Sequence, residues 1–330
     1  MQQFTGTTRA AYVNQPGPPE SIMVGSLPVP PLGDDQVLIR VEVVAVNHVD
    51  TFIRSGAYRT PLPYPFVIGR DLAGTVIATG PSVAWPAPGA RVWCNSLGHG
   101  GRQGSFAEFV VADAERVYPL PAGVPGERAV AVAHAAATAH LGLHREARVR
   151  PGETVLVDGA AGAVGSAAVR LAAAAGARTI AVSSAGGLAA AERSGADRIL
   201  ARDDLDRLDE GVDVWWDASG RLDAARVLPA MNLGGRLVVI AGLDHIASFP
   251  LGALYTRDLS LHGFAISNAS AAELRAAADM INSLLAAGGL DTEVYATLPL
   301  DRAAEAHRLV EQGVPGKILV RIDAQSHHAP

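Results

Sequence analysis

An apolar run, a glycine-rich turn and a helical segment follow one another in the middle of the chain, and this order limits the folds open to it. The run TVLVDGA (154–160) has the character of a strand buried on both faces, and it leads directly into GAAGAVG (159–165). The segment VGSAAVRLAAAAG (164–176) then has the pattern of an amphipathic helix. A buried strand joined to a helix in this way is typical of the parallel sheets of α/β proteins.

Strands and helices continue to alternate after this unit, as a parallel sheet requires. Further strands are predicted at TIAVS (179–183), VDVWWDAS (212–219), GRLVVIAG (235–242) and LSLHGF (259–264). A last helix and strand are predicted at LDRAAEAHRLVEQG and KILVRI.

The first 120 residues have a different pattern. Three segments rich in β-branched and aromatic residues are separated by clusters of proline and glycine: VLIRVEVVAV (37–46), GTVIATG (74–80) and FAEFVV (106–111). No regular helix is predicted between them. This part of the chain is therefore expected to form a compact all-β or barrel-like unit with long loops.

The composition predicts a folded, soluble protein. Of the 330 residues, 49% are apolar and 18% are charged, which excludes intrinsic disorder. The 27 basic and 33 acidic residues give a net charge of −6 without a basic run, which argues against binding to nucleic acid or to an anionic membrane. The single cysteine, Cys94, excludes an internal disulfide framework. No signal pattern is seen at the start of the sequence, so we expect a cytoplasmic protein.

The glycine-rich turn fits a dinucleotide-binding fingerprint. Set against G-x-G-x-x-G it reads Ala160-x-Gly162-x-x-Gly165, and it lies between a predicted strand and a predicted helix, as the fingerprint requires. Gly162 would let the backbone approach a pyrophosphate, and Gly165 would let the helix pack close to the strand. The helix N-terminus offers free N–H groups to phosphate, so Ala163 and Val164 are predicted contacts as well. The alternative is an ordinary turn of an α/β protein.

The residues after the second strand favour NADP over NAD. Sites for NAD carry an Asp or Glu about twenty residues beyond the fingerprint, where it binds the adenosine ribose. Here the second strand ends in Ser183 and Ser184, which can hydrogen-bond a 2′-phosphate without repelling it. Arg202 follows the next element and would neutralise that phosphate. The alternatives are a solvated turn for the two serines and a surface charge for Arg202.

Several segments, in order along the chain, resemble one known family. VNHVDTFIRSGAY (46–58), IGRDLAGTVIATG (68–80) and PGETVLVDGAAGAVGSAAVRLA (151–172) are similar to segments of the zinc-free quinone oxidoreductases. These proteins are the zeta-crystallin-like branch of the medium-chain dehydrogenase/reductase superfamily. GADRI, GGRLVVIAG and AAEAHRLVEQGVPGKILV continue the series.

This resemblance implies an α/β protein with two domains. A Rossmann NADP-binding domain (130–266) is expected to be inserted into a GroES-like, β-rich catalytic domain (1–129 and 267–330). The resemblance also implies a cleft between the two domains and a homodimer.

The zinc-free assignment depends on two short segments. Zinc alcohol dehydrogenases hold their catalytic metal with the Cys of a Cys-His-x-Asp segment and the His of a Gly-His-Glu segment. Here these places read Asn47-His48-Val49-Asp50 and Gly69-Arg70-Asp71, so both ligands are absent and Arg70 adds a fixed positive charge. No metal is therefore predicted. The alternative is a zinc enzyme with unusual ligands, which would draw on His48, Asp50, Asp71 and Cys94.

The resemblance places four residues near the nicotinamide and the substrate. Asn47 would orient a substrate carbonyl or the cofactor ribose. Asp50 either takes part in the site or only fixes its loop. Tyr58 either hydrogen-bonds a carbonyl oxygen or delivers a proton to it, or else it packs as a lid. His48 stands where the family has proline, and it either donates a proton or belongs to the scaffold.

Four further residues match family positions near the cofactor. Thr138 matches a nicotinamide contact, and Ala241 and Gly242 end a strand where the nicotinamide ribose should pass. Lys317 matches a lysine close to the cofactor. The alternatives are a hydroxyl bonded to its own helix for Thr138 and a surface charge for Lys317.

The segment SLGHGGRQGS (96–105) is longer than the connection that the family has at this point. Its glycines predict a mobile loop. Such a loop either borders the mouth of the substrate site or is a surface insertion.

Together these features predict an enzyme. The expected activity is a zinc-independent, NADPH-dependent transfer of hydride to a quinone or an α,β-unsaturated carbonyl. Catalysis would come from holding donor and acceptor together and from stabilising an oxyanion. One alternative is a pathway-specific enoyl reductase or tailoring oxidoreductase, favoured by Phe52, where the family often has tyrosine. The other is a non-catalytic NADPH-binding protein.

Overall fold

The structure, a computed structural model, describes residues 6–322. It divides into two units. The second unit is Ala135–Glu273, and the described part of the first consists of residues 6–134 and 274–322. The second unit is thus inserted into the first, and both of its boundaries fall a few residues beyond the predicted 130–266.

Both units contain helices and strands. The helices are α1 (His48–Ser55), α2 (Gly126–His140), α3 (Ala163–Ala174), α4 (Leu188–Glu192), α5 (Ala224–Ala230), α6 (Leu251–Tyr255), α7 (Ala271–Ala286) and α8 (Ala303–Glu311). The strands of the first unit are β1 (Thr7–Val13), β2 (Met23–Pro28), β3 (Gln36–Val46), β4 (Phe66–Val67), β5 (Asp71–Thr79), β6 (Arg91–Cys94), β7 (Phe109–Asp113), β8 (Tyr118–Pro119), β15 (Val294–Pro299) and β16 (Lys317–Arg321). Those of the second unit are β9 (Thr154–Asp158), β10 (Arg178–Ser183), β11 (Arg198–Ala201), β12 (Val212–Asp217), β13 (Met231–Val239) and β14 (Ser260–Gly263). None of the helices between residues 6 and 322 has the length and apolarity needed to span a lipid bilayer.

The first unit is built on two mainly antiparallel sheets. One has the order β2-β1-β4, and the other has the order β15-β16-β3-β5-β6-β8 with β7 also paired to β3. Among the strands of its described residues, β15 and β16 are the one parallel pair. The long strand β3 lies between β16 and β5, and its apolar side chains enter one core with Phe66, Phe106 and Ile318. This arrangement is the expected β-rich unit.

The helix α1 corrects one prediction, because a regular helix does occur within the first 120 residues. It begins after Asn47, whose backbone N–H donates to the carboxylate of Asp50 at 2.7 Å. It ends at Gly56, which has the left-handed φ of 84°. An eight-residue helix makes about two turns, too few for its periodicity to stand out between strands. Its signal is the Asn and Asp at the helix start.

The second unit contains a wholly parallel sheet in the order β11-β10-β9-β12-β13-β14. This is the doubly wound order, with the first strand, β9, in the middle. The direction of winding reverses between β9 and β12, and ligands of such sheets bind outside the carboxyl ends of the strands at this point. The Rossmann-type fold expected for this part of the chain is therefore confirmed.

Candidate functional sites in the two units

Asn47 connects two buried charges in the first unit. Its Nδ2 donates to Oδ2 of Asp71 at 2.9 Å, and its Oδ1 accepts a hydrogen bond from Nζ of Lys317. Asn47 directly follows β3, whereas Asp71 begins β5 and Lys317 begins β16. Since β5 and β16 are the neighbours of β3, the register of three strands brings the three side chains together.

Lys317 is buried, so the alternative of a surface charge is wrong. Burial lowers its pKa, and the nearby carboxylates of Asp71 and Asp50 act in the opposite direction. The ammonium group is held by the side-chain oxygen of Asn47.

Two buried carboxyl groups lie in this cluster. Burial raises the pKa of Asp71 to about 7 and that of Asp50 to about 6. Lys317 and Arg70 offset part of this rise. The other oxygen of Asp71 lies 3.7 Å from Nδ1 of His134. Burial also holds the pKa of His134 well below its usual range, so this ring is neutral.

Arg70 lies in the same cluster and is only 1% exposed. Within residues 6–322, neither its Nε nor its Nη2 has a hydrogen-bond partner. Its charge interacts with Asp50, Asp71 and Tyr58, although the structure forms no ion pair with it in the described chain. Burial lowers the pKa of this guanidinium, but an arginine stays protonated at neutral pH.

Tyr58 is half-buried beside these residues, and its ring centre lies 6.0 Å from that of His99. Burial, with the charges of Arg70 and Arg102, lowers the pKa of His99 to about 4. The pKa of His48, the exposed first residue of α1, is lowered by desolvation and then by Lys317. Both imidazoles are therefore mainly neutral at pH 7.

The segment 96–105 is anchored along much of its length. The N–H of Gly104 donates to the carbonyl of Val67 at 2.8 Å, and the side chain of Gln103 accepts the Val67 N–H at 2.7 Å. The guanidinium of Arg102 donates to the carbonyl of Ser96. The loop is thus held against its neighbours, in contrast to the mobile loop that its glycines suggest.

In the second unit, the turn between β9 and α3 packs tightly on one side and is open on the other. A Cβ at Gly165 would lie 2.2 Å from the carbonyl oxygen of Gly159, so only glycine fits at this position. Gly162 is exposed, and the nearest atom to a Cβ there would be 3.4 Å away. The N–H of Ser166 makes a hydrogen bond to the carbonyl of Gly162 at 2.8 Å, and the three preceding amides lie at the start of the helix.

The turns after β9, β12 and β13 meet at the carboxyl ends of these strands. A Cβ at Gly159 would lie 2.8 Å from the backbone of Ala218, and one at Gly220 would lie 2.9 Å from the backbone of Gly242. Ala241 and Gly242 are half-buried there, and Ala160 is buried beneath the first turn. Thr138 is buried in α2.

Ser183 and Ser184 follow each other at the end of β10, the first buried and the second exposed. Arg202 is bound to a carboxylate: its Nη2 and Nε donate to Oδ1 of Asp158 at 2.7 and 3.0 Å. Arg202 is thus paired with Asp158 rather than left free to neutralise a phosphate, and its side chain stays 22% exposed. The sequence signal for this pair is the Asp that ends an otherwise apolar strand directly before the glycine-rich turn.

The chain matches known oxidoreductases along its length. Residues 33–122 match the model of the alcohol dehydrogenase GroES-like domain, and residues 163–283 match that of the zinc-binding dehydrogenases. The quinone oxidoreductase of Mus musculus is 31% identical over 317 residues, which cover 92% of this chain and 94% of the relative. The chain belongs to the quinone oxidoreductases of the medium-chain dehydrogenase/reductase superfamily.

Solved structures of this superfamily are also similar. The crystal structure of AibC has a TM-score of 0.86 and 29% identity, with 97% of each chain covered. A mycobacterial quinone oxidoreductase has a TM-score of 0.83 and 27% identity, with 95% of this chain and 99% of that chain covered. The predicted family and the predicted fold class are thus confirmed.

Membership of the family implies an oxidoreductase with a nicotinamide dinucleotide cofactor and a small-molecule substrate. The turn at 159–165 fits such a cofactor, because its open side, at Gly162, adjoins the N-terminus of α3. Among the described residues, no group of three or more His, Cys, Asp or Glu side chains is arranged to hold a metal ion.

In the first-unit cluster, sequence reasoning did not select His134, and it named Asp71 only as a ligand of the alternative zinc site. Each is a polar residue within an apolar segment, and this was the available signal, since buried polar groups need partners. The sequence pattern could not show that β5 and α2 bring these two side chains together.

Proposed function

We propose that this member of the family is a zinc-independent, NADPH-dependent reductase of quinones or α,β-unsaturated carbonyls. The observation that carries the proposal is the pair Asn47 and Arg70, which stand where zinc dehydrogenases have metal ligands. The amide of Asn47 is engaged with Asp71 and Lys317, and Arg70 is a buried cation. An engaged amide and a fixed positive charge are unsuited to a divalent cation. An acceptor that is already activated needs no Lewis acid.

Cofactor binding is assigned to the second unit. The pyrophosphate would lie on the turn at 159–165, and Thr138, Ala241 and Gly242 would face the nicotinamide ribose. Ser183 and Ser184 would donate hydrogen bonds to a 2′-phosphate. Arg202 shares its charge with Asp158, so the two serines supply most of the preference for NADPH.

The first unit would hold the acceptor. When bound, the reduced nicotinamide supplies a hydride. Lys317 and Asp71 fix the orientation of the Asn47 amide, which leaves its second N–H free to bind a carbonyl oxygen. The Tyr58 hydroxyl gives the acceptor its proton and is reprotonated from solvent, because the side chain is half-exposed. Asp50 is a positioning residue, since it caps α1.

A homodimer in the cytoplasm is the proposed state of the protein. The edge strand β14 presents Leu261, which is exposed, and the nearby Leu251 and Tyr255 are exposed as well. An open strand with apolar neighbours is a favourable surface for pairing between two copies. The single cysteine agrees with a reducing compartment. Light scattering of Leu261→Lys tests the dimer, because the charge is expected to give monomers.

The activity is tested by NADPH and NADH oxidation at 340 nm against an ortho-quinone, a para-quinone, an enal and an enoyl thioester. Faster turnover with NADPH on a quinone or enone is expected. Gly162→Asp should abolish NADPH binding by charge repulsion, whereas Gly252→Asp, at an open site in α6, should not. NADPH binding without turnover on any acceptor would favour the non-catalytic alternative, and unchanged NADPH affinity in Gly162→Asp would refute the pyrophosphate site.

A further inference from the structure

Arg202 reaches across the end of one strand to bind Asp158. In the register of the sheet, Ser183 at the end of β10 pairs with Ala201, the residue before Arg202. On the other side of β10, Val182 pairs with Asp158 at the end of β9. The side chain of Arg202 therefore spans the carboxyl end of β10 before its Nη2 and Nε donate to Oδ1 of Asp158 at 2.7 and 3.0 Å. Doubly wound sheets contact the adenosine ribose of a dinucleotide at the end of this second strand.

The arginine of this pair is open to solvent. The side chain of Arg202 is 22% exposed, whereas that of Asp158 is 8% exposed. The neighbouring Ser184 is exposed as well. Ser184 and Arg202 each follow a paired strand residue, so both start from neighbouring points at this edge of the sheet. A phosphate held by Ser184 would therefore lie on the same edge as the Arg202 charge.

The positive charge of Arg202 is already offset by acidic groups. The hydrogen bonds from Asp158 raise the pKa of the guanidinium, and the charges of Asp158, Asp217 and Asp203 act in the same direction. Asp217 ends β12 and is the residue paired with Asp158 across the strands. Three carboxyl groups thus surround one guanidinium at the strand ends. An anion placed there gains little from Arg202 while Asp158 holds it.

We propose that Asp158 is a specificity-determining residue of the cofactor site, because it holds Arg202 and so keeps the preference for NADPH over NADH small. Without this carboxylate, the guanidinium is free to bind the 2′-phosphate that distinguishes the two cofactors. The place of that phosphate rests on the proposed function, whereas the restraint of Arg202 by Asp158 does not.

The experiment measures the dissociation constants of NADPH and NADH by fluorescence titration, so it needs no acceptor and no turnover. Asp158→Asn keeps the shape of the side chain and removes its charge. This variant is expected to raise the ratio of Kd for NADH to Kd for NADPH by about tenfold, as for a gained hydrogen bond between charged groups. Most of the change should be tighter binding of NADPH.

The gain should require Arg202. In an Arg202→Met background, Asp158→Asn should change the ratio by less than about twofold, because no guanidinium is released. Asp203→Asn is the matched control, since Asp203 is exposed, follows Arg202 in the chain and acts on it through its charge alone. Its effect on the ratio should also stay below about twofold, because exposed charges are screened. Asp158→Ser, a second variant without the carboxylate, should reproduce the gain.

The outcomes separate this inference from the proposed function. A wild type that prefers NADH would contradict the proposed NADPH dependence, but a tenfold gain in Asp158→Asn would still support the restraint. An unchanged ratio in both Asp158→Asn and Asp158→Ser would overturn the inference whatever wild type prefers. An equal gain in the Arg202→Met background or in Asp203→Asn would also overturn it. Binding of neither cofactor to wild type or variants would overturn both proposals.

Discussion

Lys317 donates a hydrogen bond to the side-chain oxygen of Asn47, 270 positions earlier in the chain, and both residues are buried. The bond ties the last strand of the first unit to the start of α1. It also brings a positive charge to the oxygen of the Asn47 amide, whose nitrogen donates to Asp71. A polar link between such distant segments makes the geometry of the candidate acceptor site depend on the whole sheet.

Lys317→Met is expected to reduce the free energy of unfolding by about 3–5 kcal/mol, because it leaves Asp71 and Asn47 buried without their cationic partner. Urea unfolding measures the change. Arg321→Met serves as a control in the same strand, since Arg321 forms an exposed ion pair with Glu127 at 3.3 Å. The control should cost less than about 1 kcal/mol. Similar losses in the two variants would contradict the importance of the buried link.

His307 should make the protein sensitive to acid. The ring is fully buried, neither of its nitrogens has a partner in the described chain, and burial lowers its pKa to about 3. The unfolded chain takes up a proton below about pH 6.5, and the folded state does not until about pH 3, so stability falls through this window as the pH falls.

His307→Leu removes this contribution of the buried ring. The stability of the variant relative to wild type should therefore be greater at pH 5 than at pH 7.5, by about 2 kcal/mol. Each protein is compared with itself at the two pH values, so the effect of the changed packing on stability, which does not depend on pH, cancels. A difference that does not depend on pH would show that the ring has the same pKa in the folded and unfolded states.

Asp71 should have the opposite dependence. Its pKa is raised from 3.8 to about 7, so the folded state holds a proton that the unfolded state has lost. This contribution to stability is present below about pH 4 and is lost as the pH rises towards 7. Asp71→Asn stays neutral, so its stability relative to wild type should rise between pH 5 and pH 8 by at least about 1 kcal/mol. Thermal unfolding of both proteins at the two pH values measures this change. The same stability difference at pH 5 and pH 8 would disprove the raised pKa of Asp71.

Gly165→Ala and Gly162→Ala separate packing from ligand binding in the glycine-rich turn. The first places a Cβ 2.2 Å from the carbonyl oxygen of Gly159 and should destabilise the protein by about 2 kcal/mol even without cofactor. The second meets its nearest atom at 3.4 Å and should cost less than about 1 kcal/mol. Gly162→Ala is nevertheless expected to weaken NADPH binding, measured by fluorescence titration. Equal stabilities of the two variants would contradict the packing argument.

The sequence by itself determined the elements whose signals are local. Hydrophobic periodicity and a glycine-rich turn predict a strand at 154–160, a helix at 164–176 and the alternation that follows them. The structure has this strand at 154–158 and this helix at 163–174. Such patterns can be recognised because the polarity of each residue indicates whether it is buried, and helix or strand spacing relates it to neighbours within one or two turns.

Only the tertiary structure decided which charges are buried and what they contact. Lys317 and Arg202 looked equally suited to a surface position, yet one is held by Asn47 and the other by Asp158. Asp50 and Asp71 are likewise buried, and both accept hydrogen bonds from Asn47. These outcomes follow from strand order and register, which join residues far apart in sequence, and no local pattern encodes the partner of a buried charge.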